Sequence, residues 1–158
     1  MTAPRWLLAL DFGGTKLSAA LVEAGAHRLR RWRARRSLPS PPGADARYDQ
    51  STLLALADEL LAGERPYAVG VSFGGPVNAG AGLVILSHHV RGWENIPLRD
   101  QLQARFGRPV SMDNDANAAA LGEWKFGAGR GCASLFYVTV STGVGGGWIL
   151  DERIYRGV

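Results

Sequence analysis

The chain has 158 residues, of which 46% are apolar and 21 are glycine, a composition that supports a packed core and excludes intrinsic disorder. The formal net charge is +4, no apolar run approaches the roughly 18 residues of a membrane-spanning helix, and the first residues lack the pattern of a secretory signal. The single Cys132 excludes an internal disulfide and a cysteine-based zinc site within the chain. We therefore expect a cytoplasmic α/β protein without a membrane partner.

Apolar runs alternate with turn residues along the whole chain, which predicts many short elements. Strands are predicted over residues 5–12, 17–22, 29–38, 67–73, 83–86, 109–112, 135–140 and 147–150. Helices are predicted over residues 51–61, 97–106 and 113–125, the first of them capped by Ser51. Three antiparallel strands followed by strand–helix alternation are typical of the ribonuclease-H-like, actin-type ATPase domain. The hairpin at 135–150 repeats the pattern of the hairpin at 6–22, which predicts the first hairpin of a second copy of that fold.

A basic run occupies the third predicted strand. Its six arginines fall within nine positions: Arg28, Arg30, Arg31, Arg33, Arg35 and Arg36. Such a run can bind nucleic acid, but it contains a single aromatic residue, Trp32, and no helix-turn-helix flanks it. Arginines also discourage edge-to-edge pairing of sheets. We therefore expect a solvated edge strand and no nucleic-acid partner.

Two turns rich in glycine and threonine are the main chemical signal. The first is Asp11, Phe12, Gly13, Gly14, Thr15 and Lys16, directly after an apolar strand. Small residues expose backbone N–H groups to a phosphate, Thr15 adds a hydroxyl and Lys16 a charge, while Asp11 could hold Mg²⁺. A hairpin turn would use the same glycines without any ligand, so this turn alone is weak evidence.

The second turn contains Thr142, Gly143 and Gly145 and follows the strand at 135–140. Two such turns in one chain favour phosphate binding over two unrelated hairpins. The pattern is neither a Rossmann fingerprint nor a Walker A motif, because 143–147 leads into a strand.

Asn114 and Asp115 lie between the two turns in sequence. Phosphoryl transfer from ATP to an alcohol needs a carboxylate near the attacking hydroxyl, and Asp115 is the candidate base. Asn114 offers a donor and an acceptor to a polyhydroxyl substrate. The alternative is that an acidic or amide side chain here simply caps the following helix, which we favour for Asp113.

Gly74 and Gly75 end a predicted strand in a loop, where backbone N–H groups could meet sugar hydroxyls, although a plain turn explains them equally well. His88 and His89 are adjacent, so their side chains diverge in extended backbone and a metal site is not expected. His88 is the candidate for contact with substrate.

Taken together, these residues resemble the ROK family of repressors and kinases, which includes bacterial glucokinases and N-acetylhexosamine kinases. The resemblance extends over residues 7–157. Six sequence blocks carry it: DFGGTK at 11–16, GGPVN at 74–78, GW and IPL within 92–98, NDAN and ALGE within 114–123, GAGRG at 127–131 and TGVGGG at 142–147.

The resemblance implies a two-domain, actin-like sugar kinase with ATP and sugar in the cleft between the domains. Residues 1–120 would form the N-terminal domain on the sugar and phosphate side, and 121–158 the start of a truncated C-terminal domain. Asp115 would be the base, Asn114 and the Gly74–Gly75 loop would contact sugar, and the two turns would hold the phosphates of ATP with Mg²⁺. The family's zinc cluster would lie in the missing C-terminal half, and the full-length protein would form a homodimer.

The sequence departs from the family pattern at His89, where many relatives carry Asn before the Gly-Trp pair. The chain also stops before the family's sugar-binding Glu and His. We therefore expect the N-terminal half of a hexose or N-acetylhexosamine kinase, inactive as an isolated fragment. A non-catalytic sugar-sensing regulator and an inert fragment are the alternatives. The family's repressors carry an N-terminal DNA-binding helix-turn-helix, whereas the first predicted strand here begins within a few residues of Met1, which favours the kinase branch.

Overall fold

The computed structural model describes residues 5–24, 29–140 and 143–157. The strands are β1 (Trp6–Phe12), β2 (Lys16–Ala24), β3 (Leu29–Pro39), β4 (Ala68–Phe73), β5 (Val77–Asn78), β6 (Leu83–Val84), β7 (Val110–Asn114), β8 (Leu135–Val140), β9 (Val144–Leu150) and β10 (Arg153–Tyr155). The helices are α1 (Ala46–Leu61), α2 (Leu98–Phe106) and α3 (Asp115–Phe126). No helix in these ranges is long and apolar enough to cross a membrane.

The chain divides into two compact units, Met1–Asp113 and Asn114–Val158. The first contains a five-stranded sheet of order β3-β2-β1-β4-β7. Its first three strands are antiparallel neighbours, and β4 pairs with β1 in parallel. The predicted meander and the strand–helix alternation after it are thus confirmed. The predicted domain boundary at residue 120 stays a prediction.

One face of the five-stranded sheet carries the core of the first unit. Leu8 and Leu10 of β1 are buried while Ala9 between them is exposed, the period of a strand with one covered face. Leu53 and Ala57 of α1 belong to the same buried cluster and lie four positions apart on one side of the helix. Full burial of a leucine side chain contributes about 1.5–3 kcal/mol.

The basic run lies on the edge strand β3, as predicted. Its described arginine side chains are exposed, and Arg33 and Arg36 each donate a hydrogen bond of 2.9 Å to a glutamate, Glu64 and Glu59 respectively. Arg28 lies outside the described residues. Exposed pairs of this kind contribute little to stability, so the run is a solvated edge.

The first helix differs from its prediction at the N-terminus. It starts at Ala46, and its cap is Asp45, whose side chain accepts a 2.9 Å hydrogen bond from the Tyr48 N–H. The predicted cap, Ser51, is wrong: its hydroxyl donates to the Tyr48 carbonyl from within the helix. The spacing of apolar residues did not indicate the first turn of α1, because a buried position in that turn is occupied by a carboxylate, Asp49.

The second unit is a helix packed on a small sheet. α3 contacts β8 and β9, and the sheet has the order β10-β9-β8. The hairpin of β8 and β9 is confirmed, but β9 begins at Val144 rather than 147, and β10 was not predicted. Three consecutive glycines hide the start of β9, since glycine has no strand preference of its own.

Candidate functional site

The first glycine turn connects β1 to β2 and is closed by a hydrogen bond. The Gly13 N–H donates to the Lys16 carbonyl at 3.2 Å, and a Cβ on Gly13 would lie 2.6 Å from that oxygen. Only glycine allows this approach without displacing backbone. Thr15 and Lys16 are exposed, so their hydroxyl and ammonium groups are accessible to a ligand.

The Gly74–Gly75 loop begins after β4 and lies beside the first turn. Phe12 and Phe73, the last residues of the parallel strands β1 and β4, are in register, and each is followed directly by two glycines. The Gly74 N–H donates to the Phe12 carbonyl at 2.8 Å, and a Cβ on Gly74 would lie 3.6 Å from the backbone of Gly14. The structure thus brings together two glycine loops that are about sixty residues apart in sequence.

The histidine pair lies on the segment that follows β6. Both rings are exposed. His89 overlies the first turn, because a Cβ on Gly14 would lie 3.0 Å from its Cβ and Cδ2 atoms. The contact of His88 with substrate, which the sequence suggested, stays a prediction. The clue to His89 was available in its position before the Gly-Trp pair, but no local pattern indicates that it reaches residue 14.

Asp11 is half-buried on β1. It is in register with Ser18 of β2 and Ser72 of β4, so its carboxylate lies in a row of oxygen-bearing residues. Across the described ranges, no three or more histidine, cysteine, aspartate or glutamate side chains group in a way that could hold a metal ion.

In the second unit, Asn114 and Asp115 form the start of α3. The Asn114 side-chain oxygen accepts hydrogen bonds from the N–H groups of Ala116 at 3.0 Å and Asn117 at 3.4 Å. Asn114 is therefore the helix cap, and the expectation that Asp113 plays this part is wrong. The reason is that β7 extends through Asn114, so the backbone turns into the helix only after it.

Asp115 is the first residue of α3 and is exposed. One carboxylate oxygen accepts a 2.8 Å hydrogen bond from the Ala116 N–H, and its place in the first turn is favourable for a negative charge. The side chain is thus held at one end while it is accessible to solvent, an arrangement that suits a base acting on a bound hydroxyl.

The two glycines of the second turn, which follows β8, have different surroundings. Gly143 is exposed, and a Cβ there would meet nothing within 4 Å. Gly145 lies inside β9, where a Cβ would be 3.1 Å from Thr139 Cγ2. Thr142 lies outside the described residues. Of Gly143 and Gly145, it is therefore Gly143, directly before β9, that lies in an open position.

Comparison with known proteins agrees with this architecture. A glucokinase from Streptomyces coelicolor is 34% identical over 95% of this chain and 45% of its own length. An N-acetylmannosamine kinase from Pasteurella multocida is 35% identical over 93% of this chain and 47% of its own. The crystal structure of a ROK family glucokinase from Streptomyces griseus in complex with glucose and AMPPNP is 33% identical, with a TM-score of 0.82 over 97% of this chain and 47% of that one.

The fold is that of the actin-like ATPase domain found in ROK sugar kinases. The ROK family pattern matches residues 7–158, and the chain belongs to the ROK family. It spans about half the length of the curated relatives it matches.

Proposed function

We propose that the protein carrying this chain is an ATP-dependent sugar kinase that phosphorylates a hydroxyl of a hexose or N-acetylhexosamine. The observation that carries the proposal is the pair of adjacent glycine loops at the ends of β1 and β4, joined by the Gly74–Phe12 hydrogen bond. Its support from relatives is the 33% identical glucokinase structure that contains glucose and AMPPNP.

The phosphate groups of ATP would be bound by the first turn and by the β8–β9 connection. In the first turn, the residues are Gly13, Gly14, Thr15 and Lys16; in the second, they are Thr142, Gly143 and Gly145. The backbone N–H groups of these turns and the Lys16 ammonium would complement the negative charge of the phosphates. They would not have to move when charge shifts between the phosphates during transfer.

Mg²⁺ fits the chemistry of Asp11. The half-buried carboxylate and its two serine neighbours in register are hard oxygen donors, the kind that Mg²⁺ prefers. When bound, the ion would neutralise charge on the phosphates of ATP.

Asp115 would be the general base. As the sugar oxygen forms its bond to the γ-phosphorus of ATP, the bond from that phosphorus to the bridging oxygen breaks and ADP leaves. The proton of the sugar hydroxyl passes to the Asp115 carboxylate. Asn114, Gly74, Gly75 and His88 would contact the sugar, and the amide of Asn114 can serve both donor and acceptor hydroxyls.

The test is transfer of a labelled γ-phosphoryl group from ATP to glucose and N-acetylmannosamine by the complete protein. Asp115→Asn should lower kcat by about a thousandfold, within the usual range for a lost general base, and leave the dissociation constant for sugar nearly unchanged. Asp100→Asn is the matched control, because Asp100 is an exposed carboxylate on α2 paired with its neighbour Arg99.

Retained turnover in the Asp115 variant would refute its role as the base. Sugar binding by the wild-type protein without any phosphoryl transfer would instead favour a non-catalytic sugar-sensing regulator. We expect the 158-residue chain by itself to be inactive, because it spans only 45–47% of the kinases it resembles.

A further inference from the structure

A buried carboxylate lies in the core of the first unit. Asp49 is 2% exposed, and no other charged residue is buried among those whose side chains the structure describes. Burying a carboxylate is costly unless polar partners compensate for the lost water. Asp49 belongs to none of the groups assigned to phosphate, sugar or proton transfer, so its burial requires another explanation.

Two hydrogen bonds link Asp49 to distant parts of the chain. The indole N–H of Trp93 donates to Oδ2 at 3.2 Å, and the hydroxyl of Ser40 donates to Oδ1 at 3.1 Å. The segment of Trp93 is also tied to the start of α1, because the Ala46 N–H donates to the Arg91 carbonyl at 3.0 Å. α1 therefore holds the Trp93 segment at two points.

Trp93 in turn packs against the two residues from which the glycine loops start. Its ring, 1% exposed, meets Phe12 edge-on with centroids 5.3 Å apart and Phe73 with centroids 4.9 Å apart. The Phe12 and Phe73 rings are themselves 6.1 Å apart. We call Phe12, Phe73 and Trp93 the aromatic cluster.

The aromatic cluster connects the helix to the ligand-facing backbone. Phe12 precedes Gly13 and Phe73 precedes Gly74, and the Gly74–Phe12 hydrogen bond joins the two loops directly. A movement of the Trp93 ring would therefore change the packing of Phe12 and Phe73 and, through them, the positions of both loops. Aromatic edge-to-face pairs have a preferred geometry, so the position of one ring restricts the others.

We propose that Asp49 is a positioning residue: by holding the Trp93 indole between Phe12 and Phe73, it keeps the Gly13–Gly14 and Gly74–Gly75 loops in one arrangement. The structural part of this inference stands by itself, and its kinetic consequence rests on the proposed function. Asp49 acts through Trp93 and does not contact substrate.

Substitutions of Asp49 separate hydrogen bonding from charge. Asparagine can keep both partners, because its oxygen can accept from the Trp93 indole while its amide donates to the Ser40 hydroxyl. Leucine has a similar size but leaves the indole N–H without an acceptor, which costs the desolvation of a buried donor. Asp58→Leu is the matched control on the same helix, since Asp58 is exposed and pairs with Arg105 at 2.7 Å.

The first measurement is amide hydrogen exchange by NMR, with the backbone amides of the four loop glycines compared with those of Leu8 and Val71 in the core strands. In Asp49→Leu we expect exchange at the loop glycines to become about tenfold faster than at the strand amides, because local opening of the loops becomes easier. Asp49→Asn should stay within about twofold of wild type, since it can keep both hydrogen bonds, and Asp58→Leu should leave loop exchange unchanged.

If Asp49→Leu does not fold, Trp93→Phe provides the same test, because it removes the N–H while it keeps an aromatic ring. Unchanged loop exchange in whichever of these variants folds would overturn the proposal. An Asp49→Asn protein as perturbed as the leucine variant would also overturn it, since charge and not hydrogen bonding would then be the property that matters.

The second measurement is steady-state kinetics of the complete protein. Asp49→Leu should raise KM for both ATP and sugar by about tenfold with a smaller change in kcat, because the two less well-ordered loops would bind both substrates more weakly. Asp49→Asn should give wild-type values. A wild-type protein without phosphoryl transfer would refute the proposed function, while the exchange experiment would still decide the positioning role.

Discussion

Asp49 shows how much one residue can depend on its surroundings. Burial raises the pKa of its carboxyl group above the 3.8 of an ordinary aspartate, and the nearby Asp45 acts in the same direction, while the hydrogen bonds from Trp93 and Ser40 oppose the change. The folded protein therefore retains the Asp49 proton at pH values where the unfolded chain has lost it.

This difference predicts a pH dependence of stability. Between 3.8 and the raised pKa, the folded state binds more protons than the unfolded state, so the free energy of unfolding should fall as the pH rises through that window. Below the window the contribution is complete. The measurement is urea unfolding at a series of pH values for wild type and Asp49→Asn, which lacks the titrating group. Parallel curves for the two proteins would contradict the prediction.

The packing of α3 on β9 depends on the absence of a side chain at Gly147. A Cβ there would lie 2.6 Å from both the Ala116 carbonyl oxygen and the Ala120 Cβ. Backbone and a buried helical alanine cannot move aside without separating the helix from the sheet. Glycine within this strand therefore serves close approach, as strand glycines often do.

Gly147→Ala should destabilise the second unit by about 1–3 kcal/mol, the usual cost of overpacking. Thermal or urea unfolding monitored by circular dichroism measures the loss. Gly143→Ala is the control, because a Cβ there meets nothing within 4 Å. Equal stability of the two alanine variants would show that α3 can shift at no cost.

The second unit presents an apolar sheet face to solvent. Phe136 is 64% exposed, Val140 77% and Val144 78%, and the rings of Phe136 and Trp148 meet edge-on with centroids 5.7 Å apart. Contiguous exposed apolar surface on a protein marks a place that another surface covers or a liability to association.

At the scale of the whole molecule, we expect the chain produced by itself to bind the dye ANS and to associate with increasing concentration. The double variant Phe136→Lys, Val140→Lys should reduce dye fluorescence and association by severalfold, because each substitution replaces an apolar side chain of this face with a charged one. Sedimentation over a concentration series measures the association, with Tyr67→Lys, an exposed aromatic position in the other unit, as the control. A wild-type chain that stays monomeric and binds no dye would contradict this prediction.

The antiparallel meander of the first three strands, the hairpin of the second unit and the family were predictable from local signals. Strand alternation, glycine turns and the six sequence blocks each depend on residues that are close in sequence. The start of α1 at Ala46 was not predictable, because Asp49 occupies a buried position that apolar periodicity assigns to a hydrophobic residue. The helix cap at Asn114 was missed for a related reason, since neighbouring Asp113, Asn114 and Asp115 are all good caps and only the end of β7 decides among them.

The sequence by itself determined the order of the elements and the residue types offered to a ligand, because backbone preferences and turn chemistry act over a few residues. Only the tertiary structure decided which distant residues meet: Gly74 beside Gly14, His89 over the first turn, and Trp93 between Phe12 and Phe73. Those contacts arise from strand register and from the packing of α1 on the sheet, which are properties of long-range pairing and leave no local pattern in the chain.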